Sequence, residues 1–201
     1  KCYYYDFKGD ETKHVSYHKN GRIASVEPVF NGFIHGIRTR FDENGMLMVS
    51  RKYNGGVLYA YSYMKNDSLL AYINIKRNDK LEPKYNNGRK SEEHNIKDGL
   101  YHGFYARYFS NGNIWVESNY NKGEVEGKYS EYYPNGRLKY QGDYSFGELN
   151  GFYVEFYENG QIKRETAYLF GKKHGVNKNF TKEGKLISTI TYKDNVVVDI
   201  K

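Results

Sequence analysis

Aromatic and polar residues alternate along this chain in short runs, and each run stops at a pair of turn-forming residues. In the stretch from Gly127 to Asn150, two Tyr-rich runs flank Asn135-Gly136. Alternation has the two-residue period of a half-buried strand, and an Asn-Gly pair between two such runs predicts a hairpin. A type I′ turn is the expected connection, with φ > 0 at both central residues. Gly151 opens the same pattern 24 residues later, with Asn159-Gly160 and Tyr168 in matching places. No helical period occurs along the chain, so no covering layer of helices is expected.

The pattern is a repeat. Units start at Thr12, Gly36, Ala60, Asp79, Gly103, Gly127, Gly151 and Gly175, every interval being 24 residues except the 19 between Ala60 and Asp79. Hairpin turns fall in one register at Asn20-Gly21, Asn44-Gly45, Asn87-Gly88, Asn111-Gly112, Asn135-Gly136, Asn159-Gly160 and Glu183-Gly184. Counting each unit's first residue as position 0, position 5 holds Tyr17, Phe41, Tyr108, Tyr132, Phe156 and Phe180. Two residues past the turn glycine stand Ile23, Leu47, Ile114, Leu138, Ile162 and Leu186, and later in the second strand Tyr53, Tyr120, Tyr144, Tyr168 and Tyr192. Glycine pairs such as Gly123/Gly127 and Gly147/Gly151 join one unit to the next, where positive φ or close backbone approach is needed. An isolated hairpin is marginal in water, so the units must stack, lining each aromatic column into a stripe. The expected fold is all-β: an elongated, twisted, largely single-layer antiparallel β-meander of 24-residue hairpin repeats.

Departures from the period set the expected domain organisation. Residues 1–11 read as an N-terminal cap, 12–59 and 103–198 as regular repeats, 60–102 as irregular repeats, and 199–201 as a tail. The short unit lacks Asn-Gly, leaving Asn66-Asp67 or Asp67-Ser68 to turn it, and the next carries Glu82-Pro83 and Lys84 where a strand and an aromatic are due. A bend between residues 60 and 95 is expected, and Val196–Ile200 reads as a last edge strand.

The phrase Gly127-Lys-Tyr-Ser-Glu-Tyr-Tyr-Pro-Asn-Gly-Arg-Leu-Lys, followed by Tyr144 and Gly147-x-x-x-Gly151, resembles the MORN-repeat variant of many bacterial proteins. The resemblance covers residues 12–198, strongly over 97–192 and weakly over 57–96. It implies a binding or neutralising role, since such proteins are often labelled antitoxin-like or exported repeat proteins. It brings no catalytic residues with it.

Composition narrows the function further. Seventeen per cent of the 201 residues are aromatic, and Gly (21) far exceeds Pro (3), as in an all-β chain. No apolar run approaches the roughly 18 residues of a membrane-spanning helix. The net charge of +7 is dispersed, with Lys interleaved among Glu, which reads as a solvated sheet surface and not a nucleic-acid face. The single cysteine, Cys2, excludes an internal disulfide and a Cys-rich metal site, and reads as an incidental thiol or as a lipoprotein anchor. His35, His102 and His174 share one position but not on adjacent units, which favours turn residues over a metal ladder. No nucleophile–His arrangement or phosphate-binding loop is present, so no enzyme and no cofactor are expected. Glu131 and Glu155 are a column pair at roughly two strand spacings, about 10 Å, a pairing that repetition produces without any catalytic demand. An enzyme site in the irregular stretch would need a pocket and a carboxylate of perturbed pKa near Glu82, Glu92 or Glu93.

The informative surface is aromatic. Position 2 of three successive units holds Tyr105, Tyr129 and Tyr153; position 4 holds Arg107, Glu131 and Glu155; position 6 holds Phe109, Tyr133 and Tyr157. With position 5 assigned to the core stripe, alternation sends these residues to the opposite face. Two compatible readings stand: the rings pack on each other to cover a sheet without a second layer, or they form a rigid docking surface. The expected partner is another protein, met as a toxin-neutralising module or an exported adaptor; the alternative is a cell-envelope module binding carbohydrate or anionic lipid headgroups. No nucleic-acid partner is expected. An exported location, periplasmic or surface and possible lipid anchoring included, is expected ahead of a cytoplasmic one.

Overall fold

The computed structural model describes residues 1–5 and 10–201, and it is all-β, with antiparallel meander-like sheets and no helix among these residues. Two compact units emerge: residues 1–99 with 108–112, and residues 100–107 with 113–201.

In the first unit, Cys2–Tyr5, Glu11–Tyr17, Ile23–Phe30, Gly36–Phe41, Leu47–Asn54, Val57–Ser62 and Ile73–Asn74 are successive neighbours in one sheet. Residues 2–5 thus form a strand inside the stretch expected as a cap, while the cap's residues 6–9 lie outside the described residues. The short unit turns at Asn66-Asp67, both with positive φ, to make the hairpin Met64–Lys65/Ser68–Leu69. Asp79–Leu81 pairs with Glu92–Lys97. The strand Leu47–Asn54 is covered on both sides. On one side the Ser50 hydroxyl meets Tyr72 Oη at 2.7 Å, and on the other Arg51 meets Glu92 and His94. Met48, Val49, Leu81 and Tyr85 are the buried apolar centre of this unit.

In the second unit the strands Leu100–Tyr108, Ile114–Asn121, Gly127–Tyr132, Leu138–Ser145, Glu148–Phe156, Ile162–Leu169, Lys172–Phe180, Leu186–Lys193 and Val196–Ile200 follow one another as antiparallel neighbours. Burial here is shallower, as expected for a sheet whose core is its own side chains. Val116, Ser118 and Thr166 are buried, while most aromatics are half-buried.

The Asn-Gly turns correct one expectation. Only the glycine of each pair has positive φ (Gly136 +82°, Gly160 +92°); the asparagines do not. Gly136 N donates to Tyr133 O at 2.8 Å and Tyr133 N to Arg137 O at 2.7 Å, which encloses a three-residue loop. This is a type I turn closed by a left-handed glycine in a bulge. Asn135 instead uses Oδ1 to accept Arg137 N at 3.0 Å, so its side chain fixes the turn in place of its backbone. Positive φ at two successive residues occurs at the other turns, Phe146-Gly147 and Phe170-Gly171 among them.

Candidate functional site

Strand register builds one face of the second unit. Tyr129 lies opposite Gly142 and Glu131 opposite Tyr140. Tyr140 lies opposite Glu155, and Gly142 opposite Tyr153, on the next strand. Tyr153 faces Thr166, and Gly151 faces Tyr168, beyond that. Directly opposed residues share a face, so positions 2 and 4 form continuous rows with tyrosines of the second strands. Ring centroids run Tyr129–Tyr140 5.8 Å, Tyr140–Tyr153 5.5 Å and Tyr153–Tyr168 6.2 Å, with Tyr144 5.8 Å from Tyr129. The Tyr129 and Tyr140 rings are stacked at 10°. Tyr105 belongs to a second cluster, 6.4 Å from Tyr101 and 5.4 Å from Tyr120. Gly142 is the floor of the first cluster: a Cβ there would stand 2.7 Å from Leu149 Cδ2 and 3.4 Å from the Tyr144 and Tyr153 rings. Burial, reinforced by neighbouring phenols and by Glu131 and Glu155, raises the hydroxyls of Tyr140 and Tyr153, and burial pushes Tyr120 up to about 12. These phenols are neutral hydrogen-bonding groups.

The charges between the rings are paired within the sheet. Lys139 binds Glu131, and Arg164 Nη2 binds both oxygens of Glu155 at 3.0 and 2.9 Å. The Arg107 guanidinium lies 4.7 Å over Trp115. Burial pushes the Glu155 carboxyl up, but Arg164, Lys163 and Tyr153 outweigh it and hold it below the ordinary carboxylate range. A glycosidase pair needs one carboxyl kept protonated, so this column has the wrong electrostatics for acid catalysis. In the irregular stretch Lys80 and Lys90 hold Glu93 at about 2 against the opposing effect of burial, and Glu92 is clamped by Arg40 and Arg51, so the shift at Glu93 comes from ion pairs inside the unit and favours the ionised form.

Position 6 lies where the strands give way to the turns. The register shifts between Glu131 and Tyr132 and between Glu155 and Phe156, with the extra residues, Lys139 and Lys163, on the partner strands, and the strands end at Tyr132 and Phe156. Tyr133 and Tyr157 therefore begin the turns. Their hydroxyls donate to Phe156 O (2.9 Å) and Phe180 O (2.8 Å), the position-5 carbonyls of the next unit. Tyr85 does the same to Tyr108 O at 2.8 Å, and the His18 ring reaches Phe41 O at 3.0 Å. Phe109 is buried in the first unit. These position-6 side chains are staples between units. Of the nine candidate residues, the structure brings Tyr129, Glu131, Tyr153 and Glu155 onto one face, with Tyr105 and Arg107 in the same unit.

Three features escaped the sequence reading. One is the buried cluster of Arg40, Arg51, Glu92 and His94. Another is an open groove of about 660 Å³ in the first unit, lined by His35, Gly36, Tyr53, Asn54, Val57 and Tyr59. The third is a pair of exposed rings, Phe146 and Phe170, at positive φ. That pair was open to detection, because a Phe stands directly before the turn glycine where the neighbouring turn has Lys122.

Comparison with known proteins adds the following. The model of the MORN repeat variant matches residues 34–54, 101–122, 125–145, 149–169 and 173–194, together more than half of the chain. A search of curated proteins finds no match. Among solved structures, "Crystal Structure of TcdB2-TccC3-Cdc42" is similar at 10% identity and a TM-score of 0.18, covering 96% of this chain and 15% of that one. That alignment is too weak to support an argument, and the chain spans well under a fifth of the solved protein's length.

Proposed function

Because the chain belongs to the MORN repeat variant family, whose repeats are generally binding modules, we propose that it is a non-enzymatic module that docks another protein on the tyrosine-lined face of its second unit. The observation that carries this reading is the connected run Tyr129–Tyr140–Tyr153–Tyr168, with centroid spacings of 5.5 to 6.2 Å. Rings held against each other lose little freedom when a partner covers them, and tyrosine offers both apolar area and a hydroxyl. Glu155–Arg164 and Glu131–Lys139 punctuate the rows with polar groups at fixed places, which favours one register of docking. Acting on such a face, the chain would serve as a toxin-neutralising module or an exported adaptor.

Affinity capture from the native host extract tests it, with Tyr129→Ala/Tyr153→Ala as the comparison. Far-UV circular dichroism confirms that the variant is folded. The protein captured by the wild type is expected to be depleted at least about tenfold on the variant, as for loss of hot-spot rings. Equal capture by both chains overturns the reading. A glycan-array signal lost in the same variant, with no captured protein, replaces it with the carbohydrate-binding alternative.

A further inference from the structure

The open groove of the first unit sits where one repeat hands over to the next. It is lined by His35, Gly36, Tyr53, Asn54, Val57 and Tyr59, and its 660 Å³ falls in the range of roughly 300–1,000 Å³ usual for ligand pockets. Tyr53, 7% exposed, lies opposite Gly36 and is the fixed floor. The register then slips by one residue between Lys52–Ala60 and Tyr53–Leu58, which leaves Tyr59 unpaired in a β-bulge. A bulge re-aims a side chain, and the Tyr59 ring stands 46% exposed while its own carbonyl is held by Ile75 N at 2.9 Å.

The second unit carries the same residues with two changes. His35, Gly36, Tyr53 and Asn54 match His102, Gly103, Tyr120 and Asn121, each 67 residues further on, whereas Val57 and Tyr59 match Glu124 and Glu126. The carboxylate suits the fold: Glu126 Oε2 accepts Phe146 N at 3.0 Å and so fixes the following turn. Val57, 65% exposed, and Tyr59 are therefore not demanded by the architecture. The first unit has exchanged two acids for an apolar side chain and an accessible ring.

The lining selects the ligand. It contains no Asp, Glu, Lys or Arg, so a charged group entering it would lose water without gaining a counter-ion. Polar groups are nonetheless on offer. His35 Nδ1 accepts from Gly55 N at 3.4 Å, which in the neutral ring puts the proton on Nε2 as a donor. The Asn54 carboxamide and the Tyr59 hydroxyl can each donate and accept, and among the described residues nothing bonds either of them. A wholly apolar ligand would cover these groups and leave them unpaired. A neutral sugar meets every condition, because its C–H face packs on an aromatic ring and each of its hydroxyls both donates and accepts. An open groove, unlike a closed cavity, also lets a chain of sugars run on past the seated one.

We propose that this groove is a binding site for neutral glycan, with one sugar seated on the Tyr59 ring and its hydroxyls bonded by Asn54 and His35. It is a different surface from the tyrosine-lined face, so each can fail without the other.

Calorimetric titration of the full chain tests the proposal. The probes are neutral oligomers of glucose (α- and β-linked), mannose and N-acetylglucosamine, with oligogalacturonate as the anionic comparison. At least one neutral oligomer is expected to bind saturably, and more tightly than oligogalacturonate. Val57→Glu/Tyr59→Glu reproduces the Glu124/Glu126 lining with which the second unit already folds, so it is expected to keep the wild-type melting temperature and to bind at least about tenfold more weakly. Tyr59→Ala, at an exposed bulge residue, is expected to lose as much. Tyr129→Ala/Tyr153→Ala is expected to bind as the wild type does. A wild type that binds none of the neutral oligomers, or prefers the anionic one, overturns the proposal. Undiminished binding by both groove variants, or loss of binding in the Tyr129/Tyr153 variant, overturns it equally.

Discussion

At the scale of single residues, the most constrained chemistry in the molecule is His94. It is 1% exposed and accepts at Nε2 from Arg51 Nη2 at 3.2 Å. A guanidinium only donates, so the imidazole is neutral with its proton on Nδ1. Burial, then the charge of Arg51, lowers its pKa to about 3, against the opposing pull of Glu92. The unfolded chain titrates this side chain near 6.5, so between about 3 and 6.5 the unfolded state binds more protons than the folded one. The associated stability is present in full above 6.5 and is lost as pH falls towards 3, at up to about 1.4 kcal/mol per pH unit. Urea unfolding across this window is expected to show that slope, and His94→Gln, which keeps an acceptor and does not titrate, is expected to flatten it. An identical slope in the variant would assign the acid limb to other groups. None of this was legible in the sequence. The partners of Glu92 and His94 on the strand Leu47–Asn54 are 41 and 43 residues away, and no local pattern links them. Glu82-Pro83 and Lys84 further obscured the first strand of that unit, of which only Asp79–Leu81 forms.

At the scale of the element, the hairpin repeat was readable because its period, turns and glycines all agree, and each strand of the regular units lies where alternation puts it. The details that were not legible are those in which one extra residue changes the register. The bulges opposite Tyr132 and Phe156 carry their extra residues, Lys139 and Lys163, on the second strand, which simple alternation does not reveal. Asn135 looks the same in sequence whether it enters the left-handed region or caps the turn with its side chain. Since Tyr157 Oη donates to Phe180 O at 2.8 Å, Tyr157→Phe removes one inter-unit hydrogen bond while keeping the ring. A loss of about 1 kcal/mol is expected in denaturant unfolding. Phe109, a natural Phe in this position, shows that the ring alone is compatible with the fold. An unchanged midpoint would mean that water replaces the carbonyl at no cost.

At the scale of the whole molecule, family and fold class were open to sequence reading, and the exposed edges much less so, because exposure depends on which rings happen to cover one another. Tyr129 and Tyr153 bury much of each other's surroundings through Tyr140, whereas Phe146 and Phe170 find nothing to cover them. In the second unit each repeat bonds mainly to its immediate neighbours, so stability is a sum of nearest-neighbour terms. Deleting residues 127–150 joins Glu126 to Gly151 and reproduces the Glu126-Gly127 junction. The shortened chain is expected to keep its β circular-dichroism spectrum and to melt cooperatively at a lower temperature. Deleting residues 139–150 removes one strand and reverses chain direction at the junction, and is expected to abolish cooperative melting. Cooperative melting of both would contradict nearest-neighbour stacking in this register.

The side-chain role of the turn asparagines bears on how the protein ages. Asn-Gly is the dipeptide most prone to deamidation, which begins when the glycine nitrogen attacks the asparagine side-chain carbonyl. Here Gly136 and Gly160 spend that N–H on Tyr133 O and Tyr157 O, while the Oδ1 atoms of Asn135 and Asn159 accept from Arg137 and Gln161. Succinimide closure would have to break both contacts at once, so intact repeats resist the reaction and chemical damage enters where a hairpin has already frayed.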